Sequence, residues 1–572
     1  MGKSELLAKI EKARGLKKAE KVYKNGKIVN VFTSEIEEAS IAVDQGVIVG
    51  VGDYEGEEWV DLKGKYVIPG LIDSHVHIES SMTTPKAISE ALLKHGVTTI
   101  IADPHEIANV KGIEGIEFML KESIDTPVDM YFMLPSCVPS GDFETAGAVL
   151  TAKELEKLID EEKVLGLGEL MNYPGLLAGE EEVLKKVGLA EEKIIDGHGP
   201  GLMGKDLNAY ILAGVKTDHE CSTKEEMEDR LRRGMIVQIR EGSATQNIEA
   251  LIPVVNKDNL SRIVFCTDDR DAEDLLTEGS IDNNIRKSVS LGLDPIDGIK
   301  MATINPALIY GLKNKGAVAP GYEATFFTVD SLEDFKIQDL FVQGKSIVSD
   351  GDLKEKVFQG KDRIHSLGNT VCLPELTKKD LEIKITGEKA NIIQLVSQNI
   401  TTTRVREKVG EIGDIFVPTK EYSKVAVIER HNATGNKGLG ILKGYGITKG
   451  AVAQTVAHDS HNLICIGDND DDMYLAIREI EKMGGGQVVV SEGKILAEMP
   501  LAIGGIMSEN SLIEVAEAQK KMFEATKQLK INDGVAPFVT LSFMSLAVIP
   551  EVKLTDMGLI DTVNFKEIPL FE

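Results

Sequence analysis

The sequence predicts an α/β protein: a (β/α)8 barrel, a small flanking β-sheet domain and an α+β C-terminal domain. Three observations predict it. Between Val67 and Leu291, apolar strand-like runs alternate with helical patterns eight times, the number that a closed parallel barrel requires. The runs are rich in Val and Ile without strict alternation, as strands covered on both faces are. Each run also ends in polar residues, at the edge where such barrels carry their chemistry.

Composition sets outer bounds. A chain of 572 residues is too long for one core and divides into several. Lys and Arg total 64 against 92 Asp and Glu, a formal charge of −28, and no basic run could track phosphates, so no nucleic-acid partner is expected. Five scattered cysteines without CxxC spacing argue against a disulfide framework or thiolate metal site and fit a reducing cytoplasm. Met1 to Lys21 reads as a short amphipathic helix, with no apolar segment for export or membrane spanning. A cytoplasmic homo-oligomer, away from membranes, is expected.

In chain order, residues 1–66 hold the N-terminal helix and the first part of a small sheet. Its β-rich pieces are Lys27 to Phe32, Glu38 to Val43, Val47 to Val51 and Glu58 to Leu62, with turns expected at Asn25-Gly26 and Gln45-Gly46. Residues 67–322 form the barrel, opening with Val67 to His75 and closing with Arg262 to Thr267 and the helix Ile281 to Leu291. Residues 323–375 return to the small sheet, with Gln343-Gly344 as a turn. Residues 376–572 form the C-terminal domain, expected to cover the barrel mouth.

The strand ends carry the candidate chemistry. His75 and His77 stand two apart on strand one, so on an extended backbone both rings leave one face and converge on a single ion. Strand two ends in Asp103-Pro104-His105-Glu106, strand three in Ser136-Cys137, strand four in Glu169 and strand five in His198. Strand six ends in His219, strand seven in Arg240-Glu241 and strand eight in Asp268-Asp269-Arg270. His75, His77, Glu169, His198, His219 and Asp268 suffice for two divalent ions. Glu169 is the natural bridge, because a carboxylate can offer one oxygen to each ion. Nitrogen and oxygen ligands without thiolate suit Mn²⁺, Fe²⁺ or Zn²⁺. A bridged pair acidifies bound water, and Asp268 is the candidate to accept its proton. His105, surplus to the ligands, or Glu106 beside it would move the second proton; the plain alternative for the two is a capping pair at a helix start. His95 reads as a helix C-cap.

The stretch Val67-Ile68-Pro69-Gly70-Leu71-Ile72-Asp73-Ser74-His75-Val76-His77 resembles the first-strand signature of the amidohydrolase superfamily of metal-dependent hydrolases. The continuation Ile78-Glu79-Ser80-Ser81-Met82 is similar to its adenine deaminases, as are Glu429-Arg430-His431-Asn432, Ala457-His458-Asp459-Ser460-His461-Asn462 and Ile466-Gly467-Asp468-Asn469 near the other end. Related amidohydrolases often bridge their metals with a carbamylated lysine; here, as in adenine deaminases, Glu stands instead. The resemblance implies hydrolysis of adenine to hypoxanthine and ammonia by a metal-bridged hydroxide in purine salvage, with Mn²⁺ or Fe²⁺ favoured. Ser136, Arg240, Glu241, Asp269 and Arg270 are candidates for reading the ring. The alternatives are a dihydroorotase- or hydantoinase-like hydrolase, against which Glu169 speaks, and a non-catalytic barrel scaffold, which should have lost ligands.

Other motifs fall away. His105-Glu106-Ile107-Ala108-Asn109 lacks the second histidine of HExxH, and no PCxxC follows His77-Ile78-Glu79. Gly435-Asn436-Lys437-Gly438-Leu439-Gly440 has neither P-loop nor dinucleotide spacing. The loops around His431 and His458/His461 could ligate a metal or lid the barrel mouth.

Overall fold

The computed structural model describes residues 2–360, 364–396 and 401–572; Met1, 361–363 and 397–400, inside the expected segments 1–66, 323–375 and 376–572, lie outside the described residues. Eight parallel strands form the central barrel: β1 (Leu71–His77), β2 (Val97–Ala102), β3 (Asp129–Leu134), β4 (Val164–Leu170), β5 (Ile194–Gly197), β6 (Thr217–Asp218), β7 (Ile236–Arg240) and β8 (Ile263–Cys266). β1 to β5 pair in sequence, as do β6 to β8. A bridge from Ile195 to Val215 links the two sets, and Asp268–Asp269, just beyond β8, lies parallel to Val76 and His77 and closes the ring.

The first expected strand is two. Tyr66–Pro69 belongs to the flanking sheet, and only from Leu71 does the chain enter the barrel. The step is made at Gly70, where a Cβ would lie 2.1 Å from Thr98 Oγ1. The flanking sheet is built from both sides of the barrel, with Phe326–Val329 antiparallel to Tyr66–Pro69. Gln45-Gly46 and Gln343-Gly344, each with both residues at positive φ, make tight hairpins as expected. Asn25-Gly26 does not. It is an irregularity inside one strand, Ala19–Asn30, because both halves pair with Glu35–Asp44.

After β2 a helix begins at His105 and runs to Glu122, with Gly112 at φ 57° and ψ −135° marking a kink. Pro104 offers no side-chain cap, and Glu79 Oε1 accepts the Ile107 N–H at 3.2 Å instead. After β3 the chain makes only a single α-helical turn, Ala152–Leu155, before β4.

The C-terminal region carries an eight-stranded sheet with helices Asp470–Met483 and Leu512–Thr526, followed by a three-stranded sheet. Its Ile503, Ile506, Met507, Leu512 and Val515 pack in the same apolar cluster as the barrel's Ile107 and Val110. Each such side chain contributes roughly 1.5–3 kcal/mol on leaving water. Docking of this domain is therefore core packing. Among the described residues no helix is long and apolar enough to cross a membrane.

Candidate metal centre and cavity

The fully buried strand β1 places His75 and His77 on one face, with ring centroids 4.8 Å apart. Their Nε2 atoms lie 3.2 and 2.8 Å from Glu169 Oε1 and 3.3 and 3.2 Å from Asp268 Oδ1. The other oxygen of Glu169, Oε2, faces His198 Nδ1 at 2.6 Å and His219 Nε2 at 3.5 Å. One carboxylate thus looks both ways, between a pair of histidines on β1 and one histidine just past each of β5 and β6.

Local structure explains why these residues arrive there. Glu169 follows two glycines that β4 requires: a Cβ at Gly166 would lie 1.8 Å from the Ile194 carbonyl oxygen, and one at Gly168 would lie 2.0 Å from Asp103 Oδ2. Asp103 Oδ2 accepts the Glu169 backbone N–H at 2.9 Å, fixing the end of the strand. His77 Nδ1 donates to the Asp103 carbonyl at 2.9 Å, which leaves Nε2 as the free lone pair. Asp268 adopts φ 59°, an uncommon backbone for a non-glycine residue, as the chain bends to meet β1.

Electrostatics favour a positive charge in this centre. Burial opposes protonation of His75, yet Asp268 and Glu169 outweigh it and lift the ring to about 10. Burial likewise pushes Glu169 up, but the surrounding histidines hold it well below the usual carboxylate range, as Arg240 does for Asp268. His75 Nε2, His219 Nε2 and Glu169 Oε1 are buried without a hydrogen-bond partner. Orphaned atoms of this kind, converging with the other ligands, are what a pair of divalent cations would satisfy. The donor set fits.

His105 stands between this centre and a neighbouring cavity. Its Nδ1 is 3.7 Å from both Glu169 Oε1 and Asp103 Oδ1, and its Nε2 is 3.4 Å from Glu106 Oε1. The cavity, of about 310 Å³, is lined by Glu79, Glu106, Asp269, His458, Phe538 and Phe543 among others. Glu79 is the residue that reading the sequence missed. It lies at the same period-two spacing after His77, but the chain turns into a 3-10 helix there, and its Oε2 is buried without a partner. Burial raises its carboxyl to about 7.

Of the five residues considered for reading a substrate ring, only Asp269 lines the cavity. Arg240 donates to Asp268 Oδ2 at 2.8 Å and also binds Glu220, so it braces a carboxylate of the candidate centre. Ser136 donates to the Glu169 backbone carbonyl. Glu241 accepts the Ile248 N–H at 3.2 Å and pairs with Lys287. Arg270 ties down the Gly279 carbonyl at 3.1 Å and Glu278 at 2.6 Å. All four stand at strand ends, but Ser136 and Arg240 turn to the candidate centre and Glu241 and Arg270 to neighbouring loops and helices. His95, a helix C-cap, pairs with Asp282 at 2.9 Å.

Residues 66–347 match the amidohydrolase family, and residues 398–566 match the adenine deaminase C-terminal domain. The chain is 48% identical over 564 residues to an adenine deaminase of Clostridium acetobutylicum, covering 98% of this chain and 99% of that one. It is 46% identical to adenine deaminase 2 of Carboxydothermus hydrogenoformans, covering 98% of each. Among solved structures it resembles an enamidase of the amidohydrolase superfamily, with a TM-score of 0.45 and 20% identity over 59% of this chain and 98% of that one.

Proposed function

The chain belongs to the adenine deaminase family of amidohydrolases, and on that premise we propose that it hydrolyses adenine to hypoxanthine and ammonia at the centre around Glu169. It is a metal-dependent hydrolase. The single observation that carries the siting is Glu169 itself, whose two oxygens face two separate groups of histidines. Two divalent cations, held by His75, His77, Glu169, His198, His219 and Asp268 with Mn²⁺ or Fe²⁺ preferred, would supply the positive charge that acidifies water and polarises the carbon under attack.

The chain's own groups then divide the work. Asp268 accepts the proton of the attacking water, its carboxylate held in place by Arg240 at 2.8 Å. His105 passes a proton from the Glu169 side, where its Nδ1 lies, to Glu106 on the cavity side. Glu106 delivers it to N1 of the ring, since an amidine carbon becomes attackable when its adjacent nitrogen is protonated; the proton Asp268 took from water goes to the departing amine, and the hydroxyl proton lost as the C6 carbonyl forms returns to Glu106. Asp269 and Glu79 face the same cavity and read the remaining ring nitrogens. Phe538, Phe543 and Val456 exclude water from a planar base. The C-terminal residues that line the cavity favour a free base over a nucleoside, and the reaction belongs to purine salvage in the cytoplasm, where the five unpaired cysteines are at home.

The test is ammonia release by metal-reconstituted protein from adenine, adenosine, guanine and cytosine, together with loss of purine absorbance. Adenine should lead in kcat/KM. A large preference for adenosine or for a dihydropyrimidine would leave the metal centre standing and remove adenine as substrate.

A further inference from the structure

Glu106 is a barrel residue whose carboxylate is gripped from the C-terminal domain. Its Oε1 accepts from His458 Nδ1 at 2.6 Å, and its Oε2 accepts from His461 Nε2. The proton on His461 can be assigned. Its Nδ1 accepts the Ala457 backbone N–H at 3.1 Å, so the one proton of the neutral ring belongs on Nε2, the atom facing Glu106. Burial keeps this ring neutral, below its ordinary value. Glu106, His458 and His461 lie close enough to suggest a metal site. A cation on His461 Nε2 would need a lone pair that this tautomer does not offer, so the grouping is a hydrogen-bonded clamp.

The loop that carries the two histidines is built to hold them still. Arg430, fully buried, donates to the His461 carbonyl, to the Thr370 carbonyl at 2.9 Å and to the Gly504 carbonyl at 2.8 Å. Glu429 accepts the backbone N–H groups of His431, Asn432 and Thr434, and His431 Nε2 donates to the Ser460 carbonyl at 2.7 Å. His458 is anchored by its backbone N–H on the Ser542 carbonyl at 2.9 Å, and its ring stacks on Phe543 with centroids 4.8 Å apart.

We propose that His461 and His458 are positioning residues for Glu106, so that the barrel becomes competent only when the C-terminal domain docks its 457–462 loop. The proposal rests on the reading above that Glu106 delivers a proton to the substrate. Two donors on opposite oxygens fix the carboxylate plane, which a single helix-borne glutamate at the start of His105–Glu122 could not do alone.

The test compares His461→Ala, His461→Gln, Glu106→Gln and the double variant Glu106→Gln/His461→Ala for kcat, KM and metal content by elemental analysis. His461→Ala should lower kcat by about 10- to 100-fold with KM within about threefold and metal content unchanged. His461→Gln, whose amide N–H can replace the ring donor, should recover part of the loss. In the Glu106→Gln chain, His461→Ala should cost nothing further. An equal loss in both backgrounds, an unchanged kcat, or a metal content one ion below wild type would overturn the clamp, the last in favour of a bound cation. Full activity in Glu106→Gln would sink the role of Glu106 and the clamp with it, a result distinct from the others. Should His461→Ala fail to fold, His458→Asn and His461→Gln carry the same comparison.

Discussion

Glu169→Gln is the sharpest perturbation of the metal centre. Glu169 Oε1 lies 2.8 Å from His77 Nε2, and Oε2 lies 2.6 Å from His198 Nδ1, so each oxygen serves a different group of histidines. The amide replaces one oxygen with an NH2 group that donates and does not ligate, so on the proposed ligand set one of the two ions would lose the carboxylate oxygen that holds it. Weakening even an outer hydrogen-bond partner of a metal ligand costs about 10- to 100-fold in affinity, and a direct ligand costs at least as much. Elemental analysis after dialysis should find one ion or none where the wild-type chain is expected to hold two. The charge stabilisation lost with an ion is several kcal/mol, so kcat should fall by at least about 10²-fold. Glu169→Asp, shorter by one carbon–carbon bond of about 1.5 Å, should reach one group only and give the same metal count. A full pair of ions in either variant would refute the bridging assignment.

On the proposed ligand set, which leaves His105 out, His105→Ala should keep its metal while kcat falls by about 10²-fold or more; loss of metal with activity would make His105 a ligand. Glu144, buried beside Asp459 and Asp556 where the barrel meets the C-terminal domain, has its carboxyl raised by burial from 4.5 to about 8. Between those values the folded chain binds more protons than the unfolded one, so this group's stabilising contribution is complete below 4.5 and is lost as pH rises through about 8. Thermal melts from pH 5 to 8 should therefore show a decline that Glu144→Gln flattens; identical slopes would place the pH dependence elsewhere.

Local pattern determined a good deal. The period-two spacing of His75 and His77 is a property of any extended strand, so their convergence follows from two residues and the backbone between them. The barrel followed from eight strand-helix alternations, and the candidate ligands were picked out as polar residues where strands end. Glu169 as a carboxylate between histidines was legible for the same reason. The rest depended on partners that no local window contains. Asn25-Gly26 has the composition of a hairpin turn, but both sides pair with one distant strand, and tertiary pairing overrode turn propensity. Val67–Pro69 reads as the opening of a barrel strand until Phe326–Val329 claims it for another sheet. Arg240 and Arg270 stand at strand ends, but a strand end fixes where a side chain begins and leaves its direction open; Asp268 and Glu278 decided that direction. The spacing of His458 and His461 was visible, while their partner Glu106 lies 352 and 355 residues away. Backbone periodicity is set by neighbours along the chain, whereas the charge a histidine finds is set by packing, and only the docked C-terminal domain brings that carboxylate to those rings.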